Sequence, residues 1–150
     1  MQTSAYVFPV VLAILLVAAI FFLTRAKKYA DVRIGNATMH AEIADNLVKQ
    51  MAGLMGRASL ADDEGMLFPL LHESRPDFWM MGMRIPIDVV YLGSNKTVVD
   101  MKSDLQPFSL SNPSTNFAPS QKAMYVLEIS AGFVKRHDIK VGAKADFTLG

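Results

Sequence analysis

Residues 77–92, Asp-Phe-Trp-Met-Met-Gly-Met-Arg-Ile-Pro-Ile-Asp-Val-Val-Tyr-Leu, form two apolar, strand-like runs separated at Gly82. In the second run, strand alternation sends Ile85, Ile87, Val89 and Tyr91 to one face and Asp88, Val90 and Leu92 to the other. A strand apolar on both faces belongs inside a sheet, and a carboxylate there must be paired and hydrogen-bonded to be tolerated.

Upstream, residues 32–34 and 38–44 read as a hairpin about Gly35-Asn36, two turn formers that accept positive φ. Asp45 can cap a helix in which Leu47, Val48, Met51, Leu54 and Met55 recur at spacings of three and four, an apolar face expected to lie in the core. Gly53 or Gly56 would end that helix, delivering Arg57 and Ser59 into a loop. The acidic run at residues 61–65 reads as a solvated turn, because it passes directly into Met66-Leu67-Phe68 without the alternating oxygen ligands of a calcium loop. The strand that follows is expected to stop at Pro69, with residues 72–76 as a polar connection.

Downstream, residues 94–96 turn the chain and 97–101 return as a strand. Three prolines and many Ser and Asn residues between 103 and 120 disfavour both helix and central strand, leaving a long loop that is either mobile or functional. Residues 126–129 read as a buried strand, 131–137 as a short helix and 144–149 as a closing strand. This order predicts an α+β fold, mostly an antiparallel β sheet or small barrel with one or two short helices.

The N-terminus adds a separate element. Residues 5–23 carry no charge, and about 19 residues in a helix match the roughly 30 Å hydrocarbon core of a bilayer. They read as a single transmembrane anchor, with the lipid bilayer as partner. Cleavage as a signal peptide is disfavoured by the lack of Lys or Arg in residues 1–5 and by Lys27 and Lys28 where a small-residue cleavage site would fall. The chain thus divides into an anchor at 1–24, a basic connector at 25–31 and one β-rich domain at 32–150. Arg25, Lys27 and Lys28 follow the span and none precedes it, which by the positive-inside rule puts the domain in the cytoplasm.

Several function classes fall away on composition and motifs. A formal charge of +1 gives no field that would draw nucleic acid, and the absence of Cys removes disulfides, thiolate metal sites and cysteine nucleophiles. His40, His72 and His137 are isolated, and no phosphate loop, dinucleotide fingerprint or Gly-x-Ser-x-Gly elbow is present. No cofactor is implied.

Gly53-Leu54-Met55-Gly56-Arg57, Gly65-Met66-Leu67-Phe68, Phe78-Trp79-Met80, Ile85-Pro86-Ile87-Asp88, Tyr125-Val126-Leu127-Glu128 and Gly132 before Ile139-Lys140-Val141-Gly142, in that order, resemble the domain of unknown function 192 family. The resemblance runs from about Val32 to Phe147 and departs at Met81-Gly82-Met83, where similar sequences carry a polar turn. It implies a small, mostly β domain with no established activity. Similar sequences often carry export signals, which points the domain away from the cytoplasm and leaves its side of the membrane open against the charge rule.

Three functional readings remain. In the first, Arg57, Trp79, Asp88 and Glu128 build a binding pocket for a small molecule or protein partner, with Arg57 as the cation that Asp88 and Glu128 require. The same charges could instead form a structural ion pair. In the second, the thioethers of Trp79-Met80-Met81-Gly82-Met83 hold a soft ion such as Cu(I), although alternation sends Met80 and Met81 to opposite faces. The third is hydrolysis by Asp88 and Glu128 as an acid and base pair.

Overall fold

The computed structural model describes residues 27–110 and 116–149, and ahead of them only Pro9, Leu12, Ala13 and Leu16. The expected membrane helix at 5–23 therefore lies almost wholly outside the described residues, and among those described no helix is long and apolar enough to cross a membrane.

Gly35, at φ 59°, closes the first hairpin between β1 (Tyr29–Ile34) and β2 (Ala37–Ile43), where Ile34 faces Ala37. Strict alternation along β1 buries Ala30, Val32 and Ile34, as expected for a strand with one covered face. A short helix, α1 (Leu47–Ala52), then carries the chain across to β3 (Glu64–Ser74), which pairs with β2 in parallel. Asn46, rather than Asp45, caps this helix by accepting from the Lys49 amide at 3.0 Å. Asp45 instead takes the Lys49 ammonium at 2.9 Å.

The strand β3 runs on past Pro69 to Ser74, beyond the expected stop. Its pairing to the neighbouring strand is irregular between Pro69 and Ser74, which is where a residue without an amide donor is tolerated. Next come β4 (Phe78–Trp79), β5 (Ile87–Leu92), β6 (Val98–Leu105), β7 (Asn116–Phe117), β8 (Ala123–Ser130), the one-turn helix α2 (Phe133–Arg136) and β9 (Ala145–Asp146).

Seven of these strands form one sheet in the order β6-β5-β8-β3-β2-β1-β9, while β4 and β7 pair apart as a two-stranded ribbon. Every pairing of these strands but β2 with β3 is antiparallel, so the fold is a mostly antiparallel, curled sheet with two short helices. Residues 77–92 are thus divided: the first run joins the ribbon and the second becomes β5, buried at all six positions. Gly82 breaks the two at φ 74°, with the Met55 side chain where a Cβ would sit.

The sheet separates two apolar clusters. One face carries Val32, Met39, Leu67, Val90 and Leu127, closed by Phe133 and Val134 of α2. The other carries Met66, Phe68, Val89, Tyr91 and Val126. The expectation that the apolar face of α1 is core is corrected: only Leu54 is buried, whereas Leu47, Val48, Met51 and Met55 are exposed. Periodicity identified an apolar stripe but not what lies over it.

Candidate functional site

Register decides which charged residues can meet. Across four neighbouring strands, Glu42, Met66, Glu128 and Val89 stand in one cross-strand row and so share a face. Asp88 pairs with Ile129 and therefore points to the opposite face. The two carboxylates expected to act together are divided by the sheet itself, and an acid and base pair made of them could not reach one substrate.

Among the described residues, Asp88 meets no cation. Fully buried, it accepts the Asp104 amide at 2.8 Å through Oδ1 and the Val134 amide at 2.9 Å through Oδ2. The Val134 amide lies in the first turn of α2, where backbone donors lack helical partners, so Asp88 supplies from another strand the cap that Gly132 cannot. Its second bond holds Asp104, a non-glycine residue at φ 55°.

Arg57 goes elsewhere as well. Its guanidinium meets the Glu42 carboxylate at 2.6 Å, and Lys27 approaches the same oxygen at 3.2 Å. Glu42 was legible as another carboxylate inside an apolar strand, and it is the nearer partner.

Glu128 is left with little. It is 4 % exposed, one oxygen accepts the Leu54 amide, and Oε2 has no hydrogen-bond partner among the described residues. Burial pushes its carboxyl up to about 8, against the smaller opposing effects of the Leu54 amide and the Arg57 charge. At neutral pH the group is mainly the uncharged acid and carries a proton it can donate.

This carboxyl forms part of the wall of a cavity of about 230 Å³ between α1, the middle of β3 and the ribbon strand β4, lined mainly by Leu47, Met51, Phe68, Phe78, Trp79 and Met83. Phe68 and Phe78 meet edge to face at 5.2 Å, and Phe78 stacks on Phe117 at 6.0 Å, which fixes the ribbon against the sheet. Gly53, at φ 50°, lies directly against Glu128: a Cβ there would sit 3.4 Å from Oε2 and 3.6 Å from Phe68 Cζ, at ordinary contact distance. Met80 is buried outside this wall while Met81 and Met83 line it, so the methionine motif is shared between core and cavity.

Beneath the same face, the Tyr91 hydroxyl is the other buried side-chain polar atom without a partner among the described residues. Burial holds the phenol protonated, with Asp100, Glu128 and Asp77 adding to the effect. Of the four residues expected from sequence, the cavity therefore gathers Trp79 and Glu128, with Arg57 near enough to influence Glu128 through its charge. Asp88 is apart from it. The lining by Gly53 and Met51 is not legible locally, because it depends on where α1 and its C-cap come to lie beside Phe68 and Glu128.

Among the described residues, no three His, Asp or Glu side chains group as a metal site. All three histidines are exposed; His40 bonds Asp31 at 2.8 Å and stacks on Tyr29.

Residues 30–147 match the profile of the family DUF192, "Uncharacterized ACR". A "UPF0127 protein" of Pyrococcus abyssi is 34% identical over 108 residues, 71% of this chain and 84% of that one. Two crystal structures are similar. A protein of Sinorhizobium meliloti, described as a candidate transcription regulator, has a TM-score of 0.73 and 25% identity over 81% of this chain and 95% of its own. A protein of unknown function from Novosphingobium aromaticivorans has a TM-score of 0.70 and 28% identity over 80% and 84%.

Proposed function

We propose, on the premise that the chain belongs to the DUF192 family, that it is a binding module held at a membrane through residues 5–23. Its cavity takes a small, mainly apolar ligand with one polar group directed at Glu128. The observation that carries this reading is the buried, unpartnered Oε2 of Glu128 in the wall of an otherwise apolar cavity. A carboxyl kept only to hold the fold would be expected to have its bonds filled, because an unmet polar atom costs about 1 to 3 kcal/mol. A ligand acceptor would fill the gap, and the aromatic and thioether walls would cover its apolar body. The regulator description belongs to the Sinorhizobium protein and is not carried over, since a net charge of +1 does not support a nucleic-acid surface.

Trp79 is the only tryptophan and lines the cavity, so its emission reports occupancy directly. Titration with a panel of small amphiphiles bearing a carbonyl or hydroxyl group should give a saturable change in that emission. The change should be lost in Ala52→Phe, an exposed lining position where a phenyl ring obstructs the cavity. No saturable change with any member of the panel overturns the reading. Protease added to intact cells reads the side of the membrane: digestion of the domain puts it outside, protection puts it in the cytoplasm.

A further inference from the structure

The apolar stripe that α1 fails to bury has a definite place relative to where the chain enters the domain. Lys27 is four residues past the last residue of the uncharged stretch, a reach of at most roughly 14 Å for an extended chain. It pairs with Glu42 at 3.2 Å. Lys28 pairs with Asp45 at 3.6 Å and accepts the Ile43 amide at 2.8 Å, which fastens the entering chain beside the first turn of α1. A helix of six residues is only about 9 Å long, so everything α1 carries lies close to that entry point.

What it carries is apolar and open to solvent. Leu47 is 70% exposed and Met51 56%, and across the cavity Met81 is 60% exposed. Leu47, Met51, Trp79 and Met81 all line the one cavity, so their exposed surfaces form a collar around its mouth. The side chains of Lys27 and Lys28 are about half exposed where the entering chain meets Glu42 and Asp45, just ahead of α1. Apolar side chains with a tryptophan among them and lysines close by are the composition of a surface seated at the headgroup level of a bilayer.

We propose that Leu47, Val48, Met51, Met55, Trp79 and Met81 dock on the bilayer that residues 5–23 enter, so that the cavity opens on the lipid phase. This rests on the anchor reading given above. It makes the ligand one that partitions into lipid and reaches Glu128 without crossing water.

The test uses the full chain reconstituted in phosphatidylcholine vesicles containing some anionic lipid, with Trp79 as the single reporter. Replacing the lipid by one brominated at a shallow acyl position should remove most of the Trp79 emission. In Leu47→Glu/Met51→Glu, two changes at exposed positions that should leave the circular dichroism spectrum as it is, the chain should still float with the vesicles while the quenching disappears. Unquenched Trp79 in a parent chain that floats with the vesicles overturns the docking and leaves the anchor standing. Quenching that survives in the double variant overturns docking through this collar, and a parent chain that does not float with vesicles overturns the anchor and the docking together.

Discussion

Asp88 and Glu128 are both acidic residues buried in the central strands of one sheet, in neighbouring rows of the same β5 and β8 pairing, yet their surroundings are opposite in kind. Asp88 has both oxygens met by backbone amides and joins three pieces of chain: β5, the end of β6 and the first turn of α2. Glu128 has one amide and an unmet oxygen in a cavity wall. Burial alone does not mark a functional carboxylate; what separates the two is whether the fold has used up the bonding capacity.

Asp88→Ala breaks the comparison from the structural side. It leaves the buried Val134 amide and the part-buried Asp104 amide without partners and should cost about 3 kcal/mol of stability in urea unfolding, with loss of the α2 turn. A loss below about 1 kcal/mol would mean that water reaches those amides.

The response to pH sharpens it from the other side. The folded-state value for Glu128 is raised from 4.5 to about 8, so between those limits the native state holds a proton that the unfolded chain has released. Stability from this group is complete below about 4.5, falls as pH rises and is gone above about 8. Glu128→Gln keeps a neutral side chain throughout, so its stability relative to the parent should improve by about 3 kcal/mol between pH 5 and pH 8. Parallel stability curves for the two proteins would show that Glu128 does not carry its proton into the neutral range.

Smaller effects refine the same contrast. Arg57→Met removes one of the two cations on Glu42 and should cost about 1 kcal/mol, while moving the Glu128 titration further up because a nearby positive charge is gone. Asn46→Ala deprives α1 of its own cap and should cost about 1 kcal/mol in thermal unfolding, well under the Asp88→Ala value. The two short helices differ in that α1 is capped from within its own sequence and α2 from a strand 46 residues away.

Local chemistry made much of the fold legible. Gly35-Asn36 announced the first hairpin, the double-sided apolar run announced β5, and the spacing of Leu47, Met51 and Leu54 announced α1. Those signals arise from backbone preference and side-chain period, which operate over a few residues. Pro69 misled because its cost depends on whether the neighbouring strand needs its amide, a property of the pairing rather than of the residue. The apolar side of α1 misled because periodicity cannot say what, if anything, covers it.

Part of the cavity lining was legible. Glu128 and Trp79 stood out as polar or amphipathic groups in apolar runs and do meet at one cavity. The partner of Asp88 was invisible because backbone amides have no sequence identity. The direct ion pair of Arg57 goes to Glu42 while its charge still reaches Glu128, a division set by sheet register across β2, β3 and β8 and not by local sequence.

The most direct measurement is a carbon-13 titration of the Glu128 side-chain carboxyl, assigned by its absence in Glu128→Gln. The unmet oxygen in an apolar wall predicts a midpoint near 8. A midpoint in the ordinary glutamate range near 4.5 would contradict the account, because it would show a carboxylate already paired or open to water.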